Sequence, residues 1–369
     1  MPELARTSPS RAAPPPPPRA PGSGEILRTL FATPRSALLT IGSVVLVVWA
    51  IPGLLRFFIF DAVWSASDGG PCRAPAAGAC WAFVAHKLPY FTYGSYPLHE
   101  HWRVNLVFGI GAMLVAWLLT PKAAWRRLGA GLFFALYPML AFVLLWGAPG
   151  LGLPRVGTDL WGGILVTFVV AAFGIVVSLP LGIVLALGRR ARLPALRLVS
   201  IAFIEFMRGV PMIAVLFMAS TMLPLFIPER LAPDRLVPPL IGVALFASAY
   251  MAEVVRGGLQ ALPKGQSEAA KALGLRFWSM QRLVILPQAL RLVIPAIVNT
   301  FIGLFKDTTL VATVGVFDFL RSVDSARLDP NWAGPTITPT AYSFAALFYF
   351  VCSSGMSRYS LFLERRLSR

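Results

Sequence analysis

The sequence predicts an all-α, polytopic transmembrane helical protein with about eight spans. Three observations carry this. The 369-residue chain is 57% hydrophobic and only 13% charged, with a mean hydropathy of +0.70, too apolar for a water-soluble domain. Its apolar runs recur at lengths that cross a hydrocarbon core of about 30 Å as helices rising about 1.5 Å per residue. The net charge of +17 sits mainly in short loops between those runs, which points to membrane orientation rather than to nucleic acid.

Residues 1–35 hold a proline run, Pro14 to Pro18, with Arg6, Arg11, Arg19, Arg28 and Arg35. Such a stretch buries too little apolar surface to offset the entropy of ordering, so a disordered, basic cytoplasmic tail is expected. It lacks the short apolar core and cleavage site of a signal peptide. Residues 36–156 read as three spans, Ser36–Phe60, Val104–Leu119 and Leu128–Trp146. A polar outer loop, Asp61 to Trp102, separates the first two, and Lys122, Arg126 and Arg127 mark an inside turn. Arg56, near the outer end of the first span, can snorkel.

Residues 157–369 hold the remaining spans. Leu160–Leu187 is long enough to tilt. Leu198–Ile227 carries Glu205 and Arg208, with Pro211 and Pro224 as expected kinks. Leu236–Val255 leads into a polar loop over residues 257–289. The apolar run Leu290–Leu320 is broken by Lys306-Asp307, and Tyr342–Leu363 is the last span. Lys and Arg favour the inside by about two to one, through Arg189, Arg190, Arg192 and Arg197 among others, and both termini come out cytoplasmic. Trp64, Trp102, Trp125, Trp146 and Trp161 fall at predicted span ends, where interfacial aromatics collect.

The polar loop over residues 257–289 is the most informative stretch. Ser267 is the expected N-cap of a short helix, which places Glu268 at its positive end. Ala269 to Leu273 are good helix formers, and Gly274 is the natural stop. A second helical piece, about Phe277 to Ile285, is expected to end before Pro287. Glu268-Ala269-Ala270, Gly274 and Leu286-Pro287 resemble the EAA motif of ABC-importer permeases at its full spacing, with Val284 where Ile is usual.

From Gly157 onward the resemblance to polar amino-acid ABC-importer permeases is nearly continuous. It covers Ser178-Leu179-Pro180-Leu181-Gly182, Glu205-Phe206-Met207-Arg208-Gly209-Val210-Pro211, Ala249 to Gly258, and Lys306-Asp307-Thr308-Thr309-Leu310. The outer-loop segments Gly78 to Phe83, Tyr93 to Pro97 and Trp102-Arg103-Val104 are similar to the longer of the two permeases in general L-amino-acid importers.

That resemblance implies a type I ABC-importer permease core in the bacterial inner membrane. It implies ATPase coupling through Glu268, Ala269, Ala270, Gly274, Leu286 and Pro287. The implied partners are a cytoplasmic ABC ATPase dimer carrying ATP and Mg, a second and different permease subunit, and a periplasmic amino-acid-binding protein. No cofactor is expected on this chain and no enzymatic activity, since Gly-Lys never occurs and a Walker A loop is absent from the sequence. An ion-coupled secondary transporter is the alternative, which would need repeated halves and midplane carboxylates rather than an EAA loop. An integral-membrane enzyme would need a clustered nucleophile, acid–base pair or metal site.

Charges inside apolar spans are functional candidates by default. Lys306, Asp307, Thr308 and Thr309 are candidates for the substrate pathway, through a broken helix whose freed backbone lines a cavity; a Lys–Asp ion pair that only holds the bend is equally open. Glu205 and Arg208 can pair on one helical face and serve as a gate or a subunit contact, with a structural role favoured. Cys72 and Cys80 share the outer loop, so a small disulfide and two free thiols both remain open. Cys352 reads as a small apolar residue. His99 and His101 have no further ligand cluster beside them, so no metal site is expected.

Overall fold

The computed structural model describes residues 23–120, 123–228 and 233–367. The proline run Pro14–Pro18, Arg6, Arg11, Arg19, Lys122, Arg230 and Arg369 lie outside these. The chain divides into two units after Ala62.

The first unit contains helices α1 (Ser23–Leu30) and α2 (Pro34–Leu55), the latter extended by a π turn, Arg56–Phe60. The expected structureless tail to residue 35 therefore gives way to helix by Ser23. A reciprocal cap starts α2: the Ser36 backbone N–H donates to Thr33 Oγ1 at 3.2 Å and the Thr33 N–H to Ser36 Oγ at 3.0 Å, with Pro34 supplying a preset φ. No residue of α2 is buried, and its Leu, Val and Ile side chains suit lipid.

The second unit opens with a loop and α3 (Trp81–Tyr93), followed by α4 (His101–Leu119), α5 (Arg126–Gly131) and α6 (Tyr137–Trp146). Then come α7 (Gly163–Gly188), α8 (Pro194–Gly209), α9 (Met212–Phe217) and α10 (Val237–Ala261). Short helices α11 (Lys264–Ala272), α12 (Phe277–Met280) and α13 (Leu286–Leu292) lead to α14 (Ile294–Asp307), α15 (Phe319–Ala326) and α16 (Ile337–Leu367).

Among the described residues six helices are long and apolar enough to cross a membrane, or up to seven if a bent pair counts as one span. That pair is the expected fifth span, which is not straight: α8 and the helix starting at Met212 meet at 110°. The break falls at Val210-Pro211, where proline forces its predecessor out of the helical region; Val210 is extended at φ −100°, ψ 137°. The expected eighth span lies within α16, which is 31 residues long but more polar than the six.

Side chains from both sides of residue 156 pack together. Val104 and Val107 of α4 and Leu144 and Leu145 of α6 share one core with Leu165 and Val170 of α7, Val243 of α10 and Leu304 of α14. At the centre α7 and α10 pack through small residues. A Cβ on Gly182 would stand 2.8 Å from Met251 Cβ, and one on Gly174 3.0 Å from Val243 Cγ1. Without a hydrophobic drive between helices in lipid, such close approach supplies the dispersion energy that holds them together.

The loop before α3 docks onto the segment joining α15 to α16. Cys72 and Cys80 are joined as a disulfide, with Cα atoms 5.6 Å apart. The Cys72 carbonyl accepts from Thr336 Oγ1 at 3.0 Å, and the Cys80 N–H donates to Thr340 Oγ1 at 2.9 Å. Arg73 Nε donates to the Ala333 carbonyl at 2.7 Å. Lys87 pairs with Asp329 at 2.5 Å. Fully buried Trp332 packs edge-on against Phe83, ring centroids 5.9 Å apart. The Lys87 ammonium, helped by the Asn331 backbone N–H, holds the Asp329 carboxyl below the usual carboxylate range.

Candidate coupling site and pathway residues

At the end of α10 the chain turns through Leu262-Pro263, and α11 begins at once. The expected Ser267 cap is not formed. Pro263 occupies the N-cap position at φ −59°, ψ 138°, so the helix starts at Lys264, three residues before Ser267. Ser267 lies within α11 and its hydroxyl donates to the Lys264 carbonyl at 2.8 Å. Proline's fixed φ decided the start over the weaker capping preference of serine.

The far end follows expectation. Gly274 takes φ +73°, the Gly274 N–H donates to the Lys271 carbonyl at 2.9 Å, and the Leu275 N–H to the Ala270 carbonyl at 3.1 Å. These two bonds make a Schellman stop. Beyond it, α12 does not end before Pro287. It runs through a π turn, Gln281–Ile285, into α13, with Pro287 in the first turn of α13. The π turn removes the need for the N–H that proline lacks.

One side of this helical pair is rooted. Ala270 is buried with Leu259, Met280, Ile285 and Ala289, and Gln288 Nε2 donates to Gln266 Oε1 at 3.2 Å. The other side is open: Glu268, Ala269 and Lys271 are exposed. Leu273 is 80% exposed, Trp278 71% and Phe277 51%. Large apolar side chains ringing a charged helix mark a surface that something covers. The spacing of the motif singled out Glu268, Ala269, Ala270 and Gly274 but not Leu273, Phe277 and Trp278, whose exposure emerges only from the turn at Gly274.

Lys306 and Asp307 close α14, and the chain tightens there into a 3₁₀ segment, Thr308–Val314. Lys306 is exposed and Asp307 half-buried. Among the described residues no ion pair within 4.0 Å joins them. Thr308 Oγ1 donates to the Phe305 carbonyl at 2.8 Å and Thr309 Oγ1 to the Lys306 carbonyl at 2.9 Å. Each hydroxyl thus bonds the carbonyl three residues back, in the last turn of α14.

Glu205 and Arg208 do not pair with each other. Arg189, at the end of α7, donates through Nη1 to Glu205 Oε1 at 2.9 Å and to Glu253 Oε1 at 2.8 Å. Arg208 lies 3.8 Å from Glu253 Oε2, and Arg256 Nη2 donates to that same oxygen at 2.6 Å. The shared partner, Glu253 of α10, was legible only as a carboxylate in an apolar span, a feature that demands pairing. Among the described residues no group of three or more His, Cys, Asp or Glu is placed to hold a metal ion. The His101 ring stacks on Tyr93 at 3.9 Å.

Comparison with known proteins places this architecture. Residues 178–369 match the family model described as "Binding-protein-dependent transport system inner membrane component". The chain is 47% identical over 351 residues to the inner membrane amino-acid ABC transporter permease protein YhdY of Escherichia coli K12, covering 93% of this chain and 92% of that protein. It is 39% identical over 406 aligned positions to the glutamate/glutamine/aspartate/asparagine transport system permease protein BztC of Rhodobacter capsulatus, covering 92% of each. A solved amino acid ABC transporter aligns at 28% identity over 55% of this chain and 92% of its own, with a TM-score of 0.48. Both relatives run nearly the full length of this sequence, the spans before residue 157 included, so the chain belongs to the family of binding-protein-dependent transport system inner membrane components, as a permease subunit of an ABC importer and not its ATPase.

Proposed function

We propose that this subunit moves polar or general L-amino acids across the bacterial inner membrane by alternating access, with both termini in the cytoplasm. The carrying observation is the α11–α12 pair, rooted through Ala270 and exposed along Glu268, Lys271, Leu273, Phe277 and Trp278. A short helix, stopped by Gly274 and tied to two spans, moves as one body. It offers charged and apolar surface together, which fits a cleft on a cytoplasmic ABC ATPase carrying ATP and Mg. One such loop serves one ATPase of a dimer, so a second permease subunit completes the membrane part, and a periplasmic binding protein delivers the substrate. Glutamate, glutamine, aspartate and asparagine, named for the relative BztC, set the range of substrates to try first.

Lys306, Asp307, Thr308 and Thr309 stand as pathway candidates, at the point where α14 gives way to a tighter helix. Glu205 and Arg208 stand as gate or subunit-contact candidates, Glu205 tied to Arg189 at the end of α7 and Arg208 to Glu253 of α10. The test is purification of the tagged chain from its native membrane with mass spectrometry of what accompanies it. An ABC ATPase, a second permease and ATP-dependent uptake of labelled amino acids into proteoliposomes are expected. Uptake driven by an ion gradient without an ATPase would replace this reading with secondary transport.

A further inference from the structure

Glu253 stands in α10 two turns before its end, about 12 Å from the turn into α11 at about 1.5 Å per residue. Its side chain is 15% exposed, and three arginines from three helices converge on it. Arg189 comes from the end of α7, Arg208 from the last turn of α8 and Arg256 from α10 itself. Arg256 grips Glu253 Oε2 with both Nε, at 2.9 Å, and Nη2, at 2.6 Å, while its Nη1 donates to Gln260 Oε1 at 2.9 Å. Gln260 is the penultimate residue of α10. An unbroken chain of charge-assisted bonds thus runs from α7 and α8 to the root of the coupling loop.

The grip is unequal, and the weak member is informative. Arg189 is held at hydrogen-bond distance by Glu253 and Glu205 together, which fixes α7 to both α8 and α10. Arg208 stands off at 3.8 Å, with its guanidinium 5.8 Å from the Tyr250 ring centroid. It is the last charged residue before the 110° break that separates α8 from α9. Arg208 thus meets Glu253 and the Tyr250 ring together, each at long range, so a change in that bend would alter its hold on Glu253 while Arg189 and Arg256 stay paired. One carboxylate links three helices in a contiguous network of charged side chains, through which a shift at either end can reach the other.

We propose that Glu253 is a positioning residue for coupling: it ties α7 and α8 to α10, so that movement of α11 reaches the α8–α9 bend. The inference rests on α11–α12 being the surface an ATPase drives. The test uses the whole importer in proteoliposomes, comparing amino acid transported per ATP hydrolysed for the unmodified chain, Glu253→Gln and Arg208→Gln. The ATPase should co-purify equally with all three. In Glu253→Gln the ratio should fall about tenfold, within the span of typical coupling energies, while ATP hydrolysis stimulated by the binding protein persists. Arg208→Gln, which removes only the loosest contact and so spares folding, should lower the same ratio by a smaller factor. An unchanged ratio in Arg208→Gln, or hydrolysis and transport falling together in both variants, overturns the proposal. An ATPase that fails to co-purify with the unmodified chain overturns the docking surface itself, a separate and recognisable outcome.

Discussion

The Cβ that Gly258 lacks would lie 2.6 Å from the Ala289 carbonyl oxygen, so α10 and α13 meet backbone to backbone at the root of the α11–α12 loop. Gly258→Ala must therefore push the two helices apart, since the obstructing atom is main chain and cannot rotate away. The expected cost is about 1–3 kcal/mol, the usual range for overpacking. Thermal unfolding of the detergent-solubilised protein checks this, with Gly257→Ala as a control because nothing lies within 4 Å of a Cβ there.

Gly274 presents the opposite case. Nothing lies within 4 Å of its absent Cβ, yet its φ is +73°. Gly274→Ala should cost about 1–2 kcal/mol of local stability from the left-handed conformation alone, and Gly274→Arg adds bulk and charge to the exposed face. Membrane insertion should remain intact in Gly274→Arg while ATPase co-purification and uptake are lost. Normal uptake would show that the turn is not a docking element.

The disulfide should act as a local staple. Both halves of the Cys72–Cys80 loop are bonded to the start of α16 through Thr336 and Thr340, so the loop keeps partners when the bond is removed. Cys72→Ser is expected to cost about 2–4 kcal/mol, the range for a native cross-link. Reducing agent should lower the thermal midpoint of the unmodified protein to that of Cys72→Ser and leave the variant unmoved.

The Lys87–Asp329 pair predicts a particular response to acid. The Asp329 carboxyl is depressed in the folded protein, chiefly by the hydrogen bond from Lys87. Its stabilising contribution is thus complete above the unfolded carboxylate value of about 3.9 and lost as the pH falls through the lower folded value. The difference in melting temperature between the unmodified protein and Asp329→Asn should stay constant from about pH 8 to pH 5, then shrink below about pH 4. A difference that fades nearer neutrality would assign the effect to another group.

What the sequence disclosed was local chemistry; what it hid was contact at a distance. Long apolar runs, the stop at Gly274 and a kink at Pro211 each follow from a few neighbouring residues. The start of α11 was misplaced because Pro263 outweighed Ser267, and α12 continued past Pro287 because a π turn absorbed the missing N–H. The docking of Cys72 to Lys87 onto residues 329–340 spans most of the chain, and no spacing rule reports such a partnership. The same holds for Glu253, whose arginines from α7 and α8 come from as far as 64 positions away. This also explains why α16 begins at Ile337, ahead of its apolar stretch: its first turns hold the Cys72–Cys80 loop.

Asp307 offers the sharpest test of the pathway candidates. It is half-buried at the last residue of α14, beside an exposed Lys306 that is not ion-paired with it within 4.0 Å among the described residues. Neither side chain, then, is committed to the other in holding the bend, and the hydroxyls of Thr308 and Thr309 already serve the helix end. If the carboxylate meets the ammonium group of a passing amino acid, Asp307→Asn keeps its shape and removes only charge. Assembly with the ATPase should be unaffected, and kcat/KM for uptake should fall about tenfold, equivalent to about 1.4 kcal/mol of lost transition-state stabilisation. Unchanged kinetics in Asp307→Asn would take that residue out of the pathway and leave it as part of the helix terminus.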